Sequence, residues 1–181
     1  MVRKIEVIPH DPAWPKDYED EANRVSNVLG PYLIAIHHIG STAIDNIAAK
    51  PTVDILLVVT SHEKLETCTD EMRKLGYRSK GENGIPGRRY YQKLEGEVHK
   101  FHLHAFETEH PEIERHINFR DYLWAHPEEA QDYQELKLRL ADVFPNDSQN
   151  YTSGKTALIR VIDQRAAAWR KESNIEIKRQ M

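Results

Sequence analysis

The stretch His38-Ile-Gly-Ser-Thr42, followed by Pro51-Thr-Val-Asp-Ile-Leu-Leu-Val-Val59, decides how this chain is read. A Gly40-Ser41 turn separates two apolar runs, and the second run carries a single acid, Asp54, fourteen residues after Gly40. Glycine adopts backbone conformations closed to other residues, which suits a tight turn that meets a ligand closely. Ser41 and Thr42 add hydroxyls that can cap a short helix whose N–H groups face an anion. A buried carboxylate without a partner costs several kcal/mol, so Asp54 needs a cation, a metal or water beside it. The expectation is a phosphate-binding turn of Gly40, Ser41 and Thr42, with Asp54 and Ser41 as the catalytic candidates.

Working outward, the totals bound the class. With 181 residues and 39% hydrophobic content, the chain is long and apolar enough for one domain with a core. A net charge of -4 argues against a general nucleic-acid scaffold while allowing a local basic pocket. Cys68 is the only cysteine, which excludes an internal disulfide and suits a reducing compartment. No apolar run approaches the roughly 20 residues that span a bilayer. The alternating start, Met1 to Ile8, does not read as a signal peptide. The expectation is a cytoplasmic protein with neither a membrane nor a nucleic-acid partner.

Periodicity then places the elements. Arg3 to Ile8 alternates like a short edge strand, and Tyr18, Ala22, Val25, Val28 and Leu29 give a helix over 16–29 one face. Tyr32 to Ile39 reads as a strand. Thr52 to Val59, apolar on both faces, reads as a central one. A helix is predicted over 61–75 with Ser61 as its cap, then a short strand over 77–80. Gly81, Gly84 and Gly87 punctuate a loop before a hairpin of 89–94 and 98–106. His110-Pro111 and His126-Pro127 open helices to about Trp124 and Phe144, and Asn150 or Thr152 caps a last helix to about Lys171. This divides the chain into an α/β portion over 1–107, a three-helix portion over 108–172 and a tail over 173–181.

Within the hairpin, Lys100-Phe-His-Leu-His-Ala-Phe106 alternates, so His102 and His104 share one face while Phe101, Leu103 and Ala105 share the other. If this strand lies beside Thr52–Val59, Asp54 joins the two imidazoles. Two histidines and one carboxylate suit Zn, Mn or Fe better than Mg, which prefers oxygen. The plainer alternative is a polar sheet face hydrogen-bonded to its neighbours. For phosphate the cationic candidates are Lys50, Arg88, Arg89 and Lys155. Alternation sends Arg88 and Arg89 to opposite faces, so at most one serves, and each taken singly reads better as a solvated loop charge. Ser153-Gly-Lys-Thr156 is not a P-loop, because Gln149 stands where that motif needs glycine and no strand precedes it. His37 reads as structural, and His38 as undecided. Ser41 lacks the strand-to-helix elbow of a hydrolase nucleophile. Cys68, Tyr122, Trp124 and Tyr133 read as packing residues.

Together, His38-Ile-Gly-Ser-Thr, Ala49-Lys-Pro-Thr-Val-Asp-Ile, His102-Leu-His, Asn118-Phe-Arg-Asp-Tyr-Leu and Tyr151-Thr-Ser-Gly-Lys resemble the GrpB family from about Ile5 to Arg170. That family is classed with nucleotidyltransferase-like proteins of the polymerase-β-like superfamily, and some relatives are fused to an enzyme of coenzyme A synthesis. The resemblance implies an α/β (α+β) fold, a small mixed sheet flanked by helices. It implies phosphate at Gly40-Ser41, a divalent metal (Mg, Mn or Zn) on Asp54, and a nucleotide or phosphorylated small molecule as ligand. One departure stands out: where the superfamily has a second acid two residues after the first, this chain has Leu56. Two-metal chemistry needs several carboxylates. Three readings follow: nucleotidyl transfer assisted by a metal on Asp54, His102 and His104, a binding module without chemistry, or a metal-dependent hydrolase on the His/His/Asp face.

Overall fold

The computed structural model describes residues 4–180, with side chains as far as Ser173. Five strands form one mixed sheet: β1 (Leu33–Ile39), β2 (Val53–Val59), β3 (Tyr77–Ser79), β4 (Arg89–Glu95) and β5 (Val98–Glu107), in the order β1-β2-β5-β4-β3. β2 runs antiparallel to β1 and parallel to β5, so β2 is interior while β5 occupies the middle. The β4–β5 hairpin turns at Gly96, whose φ of 60° is a conformation that suits glycine.

Alternation along β2 and β5 sorts the side chains onto two faces. Val53, Ile55, Leu57 and Val59 join Phe101, Leu103 and Ala105 in the main core, against α1 (Trp14–Leu29), whose Trp14, Val25 and Leu29 are buried there. This side is pinned by Glu21, 1% exposed, which accepts hydrogen bonds from Tyr77 Oη at 2.9 Å and Lys93 Nζ at 2.8 Å. On the opposite face Leu56 and Phe106 pack with Ile39 under Ile113 and Ile117 of α4 (Pro111–Ala125). That cover leaves Asp54, His102 and His104 beside a cleft.

The helices that follow α4 are α5 (Pro127–Val143), α6 (Ser148–Gly154) and α7 (Thr156–Gln180). Tyr122 and Leu123 of α4, Tyr133 of α5 and Ile162 of α7 form a second core with Ile44 and Ile47. The expected single last helix is thus two, and α7 continues past Lys171. Its partner α6 is capped by Asp147, which accepts from Asn150 N at 3.0 Å, rather than by Asn150 or Thr152. At the corner between them a Cβ on Gly154 would sit 2.6 Å from Leu140 Cδ2, so Ser153-Gly-Lys-Thr156 is a close helix–helix approach. The expected helix over 61–75 is also two, α2 (His62–Thr67) and α3 (Thr69–Lys74), broken at Cys68. Thr67 and Thr69 flank that break, and each donates its hydroxyl to the carbonyl three residues back at 2.6 Å, competing with the helical ladder. The expected edge strand near the N-terminus reduces to one bridge, Ile8 to Ala49; Arg3 lies outside the described residues. No described helix is long and apolar enough to cross a membrane.

Candidate functional site

Parallel pairing of β2 and β5 sets Asp54 directly across from His102, with His104 two residues on along the same face. Asp54 Oδ1 accepts from His102 Nδ1 at 3.3 Å and from His104 Nε2 at 3.2 Å. Burial alone would raise the Asp54 pKa. The hydrogen bonds from His102 and His104 outweigh it and hold the carboxyl well below the usual carboxylate range. With Nδ1–H of His102 committed to Asp54, its Nε2 accepts, and it meets His99 Nδ1 at 2.9 Å. Asp54, His102 and His99 thus form a hydrogen-bonded chain along one wall.

His104 is fixed by a residue the sequence left unweighted for this purpose. Arg88 Nη1 lies 3.3 Å from His104 Nδ1. A guanidinium only donates, so Nδ1 accepts and the ring proton sits on Nε2, facing Asp54. Arg88 is itself 5% exposed, held by the carbonyls of Glu82 at 3.0 Å and Asn83 at 2.6 Å and stacked on Tyr90 at 4.7 Å. Tyr90 also meets both imidazoles edge-on, at 5.3 and 5.1 Å. This explains why the expected metal ligands come together without forming a metal site. Among the described residues no three His, Cys, Asp or Glu side chains are set to hold a metal ion. A metal at His104 Nε2 would need its lone pair there, and the displaced proton on Nδ1 would then face the Arg88 donor. As arranged, Asp54, His102 and His104 fit a hydrogen-bonded cluster and not a resident Mg, Mn or Zn.

The turn lies against this cluster. Gly40 has φ +73°, and a Cβ there would fall 2.7 Å from Asp54 Oδ2, so conformation and space both require glycine. Thr42 is buried and its Oγ1 pairs with His38 Nε2 at 3.0 Å. Burial takes the His38 pKa down to about 4 against the pull of Asp54. Its ring stacks on Tyr18 at 4.8 Å and its carbonyl accepts from Arg120 at 2.9 Å, so His38 is a neutral structural residue. Ser41 hydrogen-bonds Tyr133 rather than a histidine, an arrangement unsuited to a Ser–His nucleophile.

A cleft of about 690 Å³ opens here, lined by Gly40, Ser41, Thr42, Asp54, His99, His102 and His104 on the sheet side. Its size suits a small-molecule ligand. Facing them are Lys50, Lys137 and Lys155. Lys155 at the α6–α7 corner and Lys50 before β2 lie over the Tyr151 ring, at 4.5 and 5.2 Å. Burial and then the Lys50 charge bring the Lys155 pKa down to about 8. Arg89, by contrast, points to the far face and bonds Glu66 at 2.9 Å, outside the cleft lining, so it is not a phosphate ligand here.

Lys137 was missed. The buried positions on α5 are Ala130, Tyr133 and Lys137, with Leu136 only half-buried. Lys137 is 2% exposed, lies 4.7 Å over the Tyr133 ring and donates Nζ to Ala48 O at 2.5 Å. Burial, and then the charge of Lys155, take its pKa down to about 7. The spacing 130, 133, 137 is helical and was legible; the residue type hid it. His99 and Tyr90 carried no sequence signal beyond composition, and Tyr151 stood only within the Tyr151-Thr-Ser-Gly-Lys motif.

Comparison with known proteins adds the following. A family model described as GrpB protein matches residues 4–165. The UPF0157 protein YqkA of Bacillus subtilis (strain 168) is 45% identical over 172 residues, 95% of this chain and 50% of that protein, so the chain spans half of YqkA's length. Glutamate-rich protein GrpB of Alkalihalophilus pseudofirmus is 34% identical over 164 residues, 87% of this chain and 94% of that protein. Among solved structures, conserved protein GrpB from Enterococcus faecalis superposes with a TM-score of 0.85 at 36% identity, covering 89% of this chain and 96% of that one. Terminal uridylyl transferase 4 from Trypanosoma brucei with bound CTP gives a TM-score of 0.49 at 13% identity over 89% of this chain and 52% of that one, a likeness too slight to build on.

Proposed function

The chain belongs to the GrpB family, and on that premise we propose that its cleft binds a nucleotide or another phosphorylated small molecule. One observation carries the reading: a lysine cluster and an acid–imidazole chain face each other across a single cleft of about 690 Å³. Lys50 and Lys155 would hold phosphate oxygens, with Ser41 at the rim of the Gly40 turn. The charge of Asp54 repels anions and keeps phosphate on the lysine side. The organic part of the ligand then lies along Tyr90, His99 and His102.

A second reading, nucleotidyl transfer to an acceptor hydroxyl, is favoured by the Asp54–His102–His99 chain. Asp54 fixes the His102 tautomer, so the imidazole end of the chain is a proton acceptor. A hydroxyl entering there would lose its proton to imidazole as its oxygen attacks phosphorus, and the departing phosphate would remain with the lysines. Leu56, fully buried, supplies no second acid, so this wall offers imidazoles where a multi-carboxylate site has acids.

A melting screen tests the binding reading. The full chain is heated with nucleoside phosphates and sugar phosphates, beside a Lys155→Gln variant. A ligand at 100 times its Kd stabilises by about 2.7 kcal/mol. The expected result is a raised Tm for the wild type with at least one phosphorylated compound, lost in Lys155→Gln. If no phosphorylated compound moves the wild-type Tm, the proposal fails.

A further inference from the structure

We propose that the lysine end of the cleft is a seat for two linked phosphates, so that the ligand is a diphosphate ester rather than a monophosphate. The inference rests on the phosphate-binding reading above and narrows it. Three ammonium groups arrive from three separate segments: Lys50 from the approach to β2, Lys137 from α5 and Lys155 from the α6–α7 corner. They stand on two rings, Lys50 and Lys155 over Tyr151 and Lys137 over Tyr133. Depth differs too. Lys137 is 2% exposed at the floor, while the other two are half-buried nearer the mouth. One phosphate would sit between Lys50 and Lys155, and the terminal one would reach Lys137.

Charge arithmetic supports the count. A phosphate monoester carries about -1.5 to -2 near neutral pH, short of three ammoniums, whereas two linked phosphates carry about -3. The other charged groups lining the cleft are Lys4 and Glu6 from the N-terminal segment and Asp54 on the opposite wall. Asp54, packed against Gly40, offsets part of the Lys155 charge but does not act on Lys137 at the floor. Burial first, and then the charge of a neighbouring lysine, brings Lys137 down to about 7 and Lys155 down to about 8, so the ammonium groups lie within reach of one another. An anion bridging them would restore their protons and tie the helical portion to the sheet.

The test is titration calorimetry on the full chain in EDTA, with inorganic phosphate and with pyrophosphate as probes, in two buffers of different ionisation enthalpy. Pyrophosphate should bind at least about tenfold more tightly than phosphate. Its binding should take up protons, seen as a buffer-dependent heat. Lys137→Met should bring pyrophosphate down to the affinity of phosphate. Should that variant not fold, Lys155→Gln, at a less buried site, should lose most of the same preference. Equal affinity for the two anions overturns the diphosphate assignment while a phosphorylated ligand in the melting screen still upholds the broader reading. Neither anion binding while a nucleotide raises the Tm has the same meaning. Neither anion binding and no compound raising the Tm ends both.

Discussion

Consider Lys137→Met in the absence of ligand. Methionine matches the length of the lysine stem and removes an ammonium group from a site that is 2% exposed. The Lys137 pKa falls from 10.5 in water to about 7 in the fold. That difference corresponds to about 5 kcal/mol, an upper figure for the penalty of keeping the charge buried. Against it stands the lost hydrogen bond to Ala48 O, worth about 1–3 kcal/mol once that carbonyl is left unpaired. The net expectation is a variant more stable than wild type by about 2–4 kcal/mol at neutral pH. The sign has a pH signature. The folded pKa is below the unfolded one, so the unfolded chain holds the proton longer. The penalty is complete below about pH 7 and fades as pH rises towards 10.5. Urea unfolding at pH values from about 6 to about 10 should therefore show the advantage of the variant shrinking as pH rises. A variant less stable than wild type at pH 7, with a gap that does not change with pH, would refute the reasoning and make Lys137 a structural tie.

Gly40→Ala should destabilise the fold by about 1–3 kcal/mol and displace Asp54, because the new Cβ meets Oδ2 at 2.7 Å in a left-handed conformation; urea midpoints check this, and a neutral outcome would mean the turn relaxes freely. Arg88→Met should free the His104 proton to move to Nδ1, so zinc binding measured by calorimetry should be weak in wild type and stronger in the variant. Equal zinc affinity in both proteins would remove the tautomer argument. The Asp54 carboxyl is held below its unfolded pKa of roughly 3.9, so its stabilisation, on the order of 2 kcal/mol, is present above that pH and lost as pH falls below it. Asp54→Asn should flatten that acid limb, and an unchanged limb would show that its hydrogen bonds contribute little.

What was legible in the sequence follows from periodicity. Strict alternation in Lys100–Phe106 put His102 and His104 on one face, and the apolar run around Asp54 marked an interior strand; their adjacency completed the cluster. The chemistry of that cluster was not legible, because it depends on Arg88, which reaches His104 only through a loop held by the Glu82 and Asn83 carbonyls. Alternation correctly separated Arg88 from Arg89 but could not say that the useful one would face an imidazole instead of a phosphate. Lys137 escaped because a lysine at an inward helical position reads as a surface residue until the facing wall is known. Local hydroxyl bonds at Thr67 and Thr69 broke a helix whose apolar spacing was otherwise continuous.

The central claim is that a phosphorylated ligand sits on the lysine wall, opposite Asp54. Lysine-selective carbon NMR reads it most directly, by following the Cε signals during titration with a compound that raises the Tm. The Lys137 and Lys155 signals should move together, while Lys93, held by Glu21 behind the sheet, stays fixed. A ligand that binds while the Lys137 and Lys155 signals remain where they were would contradict it.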